Sequence, residues 1–179
     1  MVRKMQVRDY NSTGRWSADS VLERYRSYAQ QIGASLDKNL APRKHTEGGV
    51  TWIYPIMEAV IAAIERGDKA CIAIGIEFIE EDQHFPFGRI LKSNTARALR
   101  RAELSREQVE RIRGRVVRML LAGSVPREFK EYSKLLRRIG LGLSWPTIKQ
   151  QIDRENSYVM RYYNYLRKHC NRAWEPAKT

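Results

Sequence analysis

The chain has 179 residues, a formal net charge of +13, 42% apolar residues and 30% charged residues, which allows a packed core and does not force disorder. Its apolar stretches are far shorter than the roughly 20 residues that span a bilayer, and residues 1–15 lack the apolar segment of a signal peptide. The two cysteines, Cys71 and Cys170, lie far apart in apolar surroundings, which excludes a disulfide framework or a zinc cluster and favours a reducing cytoplasm.

Helical periodicity dominates the first half of the chain and predicts three helices there. Ser17 or Asp19 is expected to cap the first helix. Asp68 is expected to cap the third, which is apolar enough to be buried on most sides. The second helix should turn Trp52 and Ile53 towards the core. The predicted helices cover about 18–32, 51–66 and 69–81, with residues 34–49 as a loop.

The second half continues the helical pattern, and no alternating strand pattern of useful length occurs anywhere in the chain. Ser105 and Gln108 have capping-box spacing before a helix that extends to about Ala122. The last pattern fits one long helix or two helices joined near residues 156–157. We therefore predict an all-α fold of about six to eight helices, arranged as a bundle or as stacked helix hairpins.

The positive charge is confined to the second half. Residues 1–88 carry 11 Lys/Arg against 12 Asp/Glu, whereas residues 89–179 carry 22 against 8. An asymmetry of this size favours a polyanionic partner for the basic half. We accordingly expect the near-neutral helical half, 1–88, to supply packing, dimerisation or partner contacts, and the basic helical half, 89–179, to bind nucleic acid. A basic surface without a specific partner is the alternative.

Residues 127–154 carry the most specific local pattern. A helix with an apolar face ends at Gly140, and Ser144 is expected to cap a second helix whose first turn accommodates Pro146. This succession resembles a helix-turn-helix, with a turn about two residues longer than the common form. An ordinary helix hairpin is the alternative. The core anchors of the second helix are expected to be Ile148 and Ile152, and the base-edge candidates are Thr147, Lys149, Gln150 and Arg154.

Basic residues also recur at helical spacing on faces opposite the predicted core. Such rows can follow a phosphate backbone, because arginine binds a phosphate through two parallel hydrogen bonds. The phosphate-contact candidates are Arg111, Arg115 and Arg118 on one helix and Lys130, Lys134 and Arg137 on the next. A solvated basic face is the alternative. Tyr165 and Trp174 are further candidates for stacking on single-stranded bases.

Catalytic signals are sparse. Residues 77–82 contain four carboxylates, and Glu77 and Glu81 share a helix face on which they could hold Mg²⁺. These carboxylates lie at a helix C-terminus, where the helix dipole disfavours negative charge, so we expect a compensating cation such as an arginine of the second half. No phosphate-binding loop or nucleophile elbow occurs in the sequence, and we expect no cofactor.

We interpret the chain as a non-enzymatic, cytoplasmic nucleic-acid-binding protein, with double-stranded DNA as its expected partner and regulation as its role. A homodimer contact through the N-terminal half is part of this interpretation. Two alternatives remain open. One is a helical-repeat scaffold whose basic face docks an acidic protein, and the other is a metal-dependent enzyme that acts on nucleic acid through the carboxylates at 77–82. Protein docking should depend less steeply on salt than phosphate binding does.

Overall fold

The computed structural model describes residues 6–82 and 87–170, and this part of the chain contains eight α-helices and three short strands. The mostly helical, multi-helix fold predicted from the sequence is therefore confirmed. The chain divides into two compact units, one extending to Glu103 and the other beginning at Leu104. Within the described ranges no helix combines the length and apolar character needed to cross a bilayer.

The elements follow one another along the chain in a fixed order. The first unit contains β1 (Gln6–Asp9), a 3₁₀ turn (Gly14–Trp16), α1 (Ala18–Gln31), β2 (Lys44–Glu47), β3 (Val50–Ile53), α2 (Ile56–Glu65), α3 (Lys69–Glu81) and α4 (Gly88–Arg101). The second unit contains α5 (Arg106–Leu121), α6 (Phe129–Ile139), α7 (Ser144–Gln151) and α8 (Ser157–Cys170).

Helix α3 is the centre of the first unit. It packs against α1, α2 and α4, and most of its residues are buried, as its apolar sequence predicts. Cys71 is fully buried on this helix, and burial raises the pKa of its thiol. The predicted N-caps are present, because Ser17 accepts a hydrogen bond from the Ser20 amide and Asp68 accepts one from the Cys71 amide.

A three-stranded sheet lies in the first unit, where the sequence predicts only loop and helix. β3 is the central strand, parallel to β1 and antiparallel to β2. None of the residues in these strands is buried. Because both faces accept polar side chains, the apolar alternation that marks a half-buried strand is missing from the sequence. The expectations of a strand-free fold and of a continuous loop over 34–49 are therefore wrong.

The predicted start of the second helix is also wrong, because α2 begins directly after Pro55. A proline disfavours the helical conformation of the residue before it, here Tyr54. The amide of Tyr54 instead donates to the Arg43 carbonyl oxygen at 2.9 Å, which extends the pairing of β3 with β2. Trp52 and Ile53, predicted to face the core from a helix, are half-buried residues of the sheet.

The second unit is built entirely of helices in its described part. α5 packs against α6 and α7, and α6 packs against α8. The predicted capping box is present, since the side chains of Ser105 and Gln108 each bond to the other residue's amide. The last helical pattern of the sequence forms two helices, α7 and α8, separated by residues 152–156. Ile148 and Ile152 are both buried, as predicted.

Candidate nucleic-acid interface

The second compact unit carries most of the positive charge. Residues 104–179 contain 17 Lys/Arg against 7 Asp/Glu, which leaves +10 of the net +13 in this unit. Helix α4 is also rich in arginine, but it packs with α2 and α3 in the first unit. The change in charge balance at Gly88 therefore precedes the boundary between the compact units.

Helices α6 and α7 are joined by a four-residue turn, 140–143. Gly140 and Gly142 have φ angles of 77° and 50°, in the left-handed region that glycine enters without a Cβ penalty. α5 packs against both helices.

Ser144 is the first residue of α7 and does not cap it, so the predicted serine cap is wrong. Leu143 occupies the N-cap position, and no side chain bonds to the free amides there. Leu143 already has near-helical angles, φ −75° and ψ −1°, so the helical path begins one residue earlier than the capping pattern requires. Pro146 lies in the first turn of α7, as predicted.

Arg113 fixes the turn, a role that the sequence analysis does not assign to it. This residue of α5 is 8% exposed, and its guanidinium donates to the carbonyl oxygens of Ile139 (3.2 Å) and Gly140 (2.9 Å). A Cβ at Gly142 would lie 2.9 Å from Arg113 Nη1, so the absence of a side chain there leaves room for the guanidinium. The sequence does contain an indication of this role. Arg113 falls within the apolar stripe of α5, and a charged side chain buried there needs polar partners.

The base-edge candidates on α7 differ in how they are placed around the helix. Ile148 is fully buried, and Gln150 follows it by about 200° around the helix axis, so Gln150 points away from the core. Thr147 flanks Gln150 on the same outer side, and both are exposed. Glutamine can form two hydrogen bonds with an adenine edge, which makes Gln150 the best placed of the candidates.

Lys149 and Arg154 are exposed but engaged with the protein itself. The ammonium of Lys149 lies 5.5 Å from the centre of the Trp145 ring, which in turn stacks on Tyr163 of α8 at 5.5 Å and 13°. Arg154 follows the end of α7, and its Nη2 donates to the Lys149 carbonyl oxygen at 3.4 Å. The Trp145–Tyr163 stack links α7 to α8. The engagement of Lys149 and Arg154 leaves Thr147 and Gln150 as the α7 side chains best placed to reach base edges.

Three of the six phosphate-contact candidates are exposed, namely Arg118 on α5 and Lys130 and Arg137 on α6. Their long side chains can reach phosphates without breaking a buried contact. The guanidinium of Arg137 also lies 6.0 Å from the centre of the Tyr165 ring.

The other three candidates, Arg111, Arg115 and Lys134, are half-buried. Lys134 Nζ lies 3.0 Å from Glu131 Oε1, so part of its charge is already compensated. Arg111 and Arg115 also take part in contacts within the chain. A phosphate contact by any of these residues would have to compete with an existing interaction.

Of the two predicted stacking candidates at the C-terminus, Tyr165 belongs to the described residues. Tyr165 is half-buried, and its ring already lies 4.7 Å from the ring of His169. Trp174 lies outside the described residues.

The acidic cluster of α3 is bound to arginines. Glu77, 9% exposed, accepts hydrogen bonds from Arg24 (2.5 Å), Arg15 (3.0 Å) and the Tyr28 hydroxyl. Glu81 accepts a second hydrogen bond from Arg15 at 2.5 Å. The arginines that compensate Glu77 and Glu81 belong to the first half of the chain, whereas Asp82 is paired at 2.5 Å with a cation of the second half, Lys92. In residues 6–82 and 87–170, no group of three or more His, Cys, Asp or Glu is arranged to hold a metal ion.

The two thiols lie in surroundings that suppress their ionisation. Burial raises the pKa of Cys170 to about 11, and it raises that of Cys71 as well. Since the thiolate is the nucleophile, neither thiol is poised for nucleophilic catalysis near neutral pH.

Comparison with known proteins adds no assignment to this geometry. The chain matches no protein-family model, no curated protein and no solved structure. The functional conclusion therefore depends on the charge, exposure and placement of the residues described above.

Proposed function

We propose that the protein binds double-stranded DNA through its second compact unit, with α7 in the major groove. The observation that carries this proposal is the outward placement of Gln150 and Thr147 on a short helix anchored by Ile148, within a unit of charge +10. An exposed polar helix on a strongly basic unit suits a partner that is both polyanionic and rich in hydrogen-bonding edges.

Phosphate contacts would come from the exposed basic residues of the two preceding helices. Arg118, Lys130 and Arg137 are the best placed, and each phosphate neutralised on duplex DNA contributes about −0.9 to the slope of log affinity against log salt. These contacts set the position of the protein on the duplex and carry no sequence information. Sequence preference would come from Gln150 and Thr147.

The role that suits this arrangement is occupation of DNA sites by a non-enzymatic regulator. The carboxylates of Glu77 and Glu81 are taken up by arginines, which disfavours the alternative of metal-dependent chemistry. We place the protein in the cytoplasm, where the free thiols of Cys71 and Cys170 would remain reduced. If the protein is a homodimer, its preferred site should be a palindrome with half-sites about one helical turn, or a multiple of it, apart.

The test is a selection from randomised duplexes with the full chain and three single variants. Gln150→Ala should relax the preference at one or two base pairs by about 1–3 kcal/mol each and leave random-sequence affinity nearly unchanged. Arg118→Gln should weaken all sequences alike and reduce the salt slope by about one. Gln30→Ala, an exposed glutamine of the first unit, is the matched control and should change neither property.

An unselective wild type, or identical preferences in wild type and Gln150→Ala, would overturn the placement of α7 in the groove. Absence of any duplex affinity at low salt would overturn the proposal as a whole. An acidic protein partner would instead show a shallower dependence on salt than a phosphate backbone does.

A further inference from the structure

One face of the three-stranded sheet is lined with aromatic and basic side chains. The strand pairing continues one residue beyond each strand, because the Tyr10 amide donates to Ile53 and the Tyr54 amide to Arg43, both at 2.9 Å. Side chains of directly paired residues point to the same side of a sheet. Three cross-strand rows therefore share one face, the aromatic sheet face: Gln6–Val50–Glu47, Arg8–Trp52–His45 and Tyr10–Tyr54–Arg43.

The ring contacts agree with this register. The imidazole of His45 stacks on Trp52, with ring centres 5.6 Å apart and planes inclined by 23°. The guanidinium of Arg43 lies 3.8 Å from the centre of the Tyr54 ring, and the Tyr10 ring lies 6.4 Å from the same ring. The side chains of Arg43 and His45 are 63% and 52% exposed, so both are open to solvent beside the rings.

We propose that the aromatic sheet face binds single-stranded nucleic acid, with unpaired bases stacked on Trp52 and Tyr54 and phosphates held by Arg8 and Arg43. Base stacking on an aromatic side chain contributes about 1–3 kcal/mol per base and tolerates every base. Trp52 and Tyr54 are two residues apart on one strand, about 6.6 Å, which is roughly twice the 3.4 Å rise between stacked bases. Successive bases would therefore separate and bind one to each ring.

The charge of the face favours a nucleic acid strand. Arg8 and Arg43 flank the rings, and Glu47 is the single carboxylate among the nine residues of the three rows. Arg43 also lies 3.4 Å from Glu58, an exposed ion pair that a phosphate can replace. Duplex DNA hides its base faces inside the stack, so it offers the rings no stacking partner. This inference goes beyond the proposed function, because it concerns the other compact unit and an unpaired form of nucleic acid, and it does not depend on duplex binding by α7.

The test measures fluorescence anisotropy of labelled single-stranded DNA, single-stranded RNA and duplex DNA with the full chain at low salt. The double variant Trp52→Ala, Tyr54→Ala should lose single-strand affinity by about 5- to 150-fold for each ring, and its duplex affinity should be unchanged. The matched control is Thr46→Ala, Thr51→Ala, which alters the opposite face of the same two strands and should bind like wild type. Trp52→Phe, which keeps a ring, should retain most of the affinity.

A charge variant keeps the test informative if the double variant fails to fold, as judged by circular dichroism. Arg43→Gln leaves both rings in place and should reduce the single-strand salt slope by about 0.7. The inference is overturned if wild type shows no single-strand affinity, or if the folded Trp52→Ala, Tyr54→Ala variant binds single strands like wild type. It is also overturned if this variant and Arg43→Gln lose duplex affinity in parallel with single-strand affinity. Duplex affinity of the wild-type sample tests the proposed function separately, so either idea can fail alone.

Discussion

Lys92 of α4 is 1% exposed, an unusual position for a lysine. Its Nζ lies 2.5 Å from Oδ1 of Asp82, which ends α3 in the left-handed conformation with φ 48°. The carboxylate offsets the cost of removing the ammonium from water, and the C-terminal dipole of α3 adds to the attraction. The pair therefore fixes the end of α3 against α4.

Removing both partners of this pair should cost less than the sum of the two single removals. Lys92→Met and Asp82→Asn should each lower the free energy of unfolding by about 3–5 kcal/mol, because each breaks the ion pair of a largely buried charge. Asparagine tolerates the left-handed backbone, so the second variant adds no strain. The double variant should lose less than the sum of the single losses. Urea titrations of all three provide the measurement, and strictly additive losses would show that the pair is not coupled.

Residue roles that depend on near neighbours can be predicted from this sequence, and those that depend on distant partners cannot. The caps Asp68 and Ser105 need only amides a few residues away, so their spacing is sufficient. The arginine partners of Glu77 lie 53 and 62 residues away on other elements, and no periodicity indicates them. The turn contact of Arg113 is an intermediate case, because its place in an apolar stripe shows that it needs partners but does not identify them.

At the scale of helices, two glycines inside helical segments occupy opposite environments. A Cβ on Gly75 of α3 would lie 2.6 Å from Ile64 Cδ1 and 3.2 Å from Thr95 Cγ2, so the small residue lets α2 and α4 approach α3. Both neighbours are buried in the core and have little room to move. On Gly114 of α5 the nearest atom would be Nη1 of the exposed Arg118, at 3.3 Å.

Alanine should therefore have opposite effects at these two positions. Gly114→Ala should raise the free energy of unfolding by about 0.5–1 kcal/mol, because alanine has the higher helix propensity and the arginine can shift. Gly75→Ala gains the same propensity but overpacks the core, which costs about 1–3 kcal/mol, so the net effect should be destabilising. Thermal unfolding followed by circular dichroism distinguishes the two, and a stabilised Gly75→Ala would contradict the close packing of α3.

The core of the second unit can be tested with a pair of leucines at nearby positions. Leu136 of α6 is fully buried, and Leu143 in the turn before α7 is 95% exposed. Leu136→Ala should lower the free energy of unfolding by about 2–5 kcal/mol, and Leu143→Ala by less than about 0.5 kcal/mol. Equal effects in urea titrations would show that the buried face of α6 is assigned wrongly.

Helices were predictable here because their apolar stripes are long, whereas the sheet was not because none of its strand residues is fully buried. Trp52 shows the difficulty: among neighbouring apolar residues it fits a helical stripe, although the structure places it on a sheet. The same error concealed the aromatic sheet face, since Trp52 and Tyr54 share a face only in a strand, where the side-chain period is two. The outward placement of Thr147 and Gln150 could be predicted because Ile148 within α7 and Ile152 directly after it define the buried side.

At the scale of the whole molecule, charge and packing divide the chain at different points. The charge balance changes at Gly88, but the compact units divide between Glu103 and Leu104. Helix α4 accounts for the difference: its outer side is basic, while Leu91, Ala98 and Leu99 are buried in the first unit. A strongly basic helix can thus belong to the unit with the smaller excess of charge.

This difference predicts how two fragments should behave. A fragment of residues 104–179 should fold and keep the duplex affinity and salt slope of the full chain, because the candidate phosphate and base contacts all lie within it. It should lose the part of the single-strand affinity that depends on base stacking, since the aromatic sheet face is absent. A fragment of residues 89–179 carries more positive charge but exposes the apolar side of α4, so it should aggregate or bind apolar dyes. Anisotropy titrations at several salt concentrations, with circular dichroism as the folding control, provide the measurement. A folded 104–179 fragment without duplex affinity at low salt would show that the net charge of this unit does not serve DNA binding.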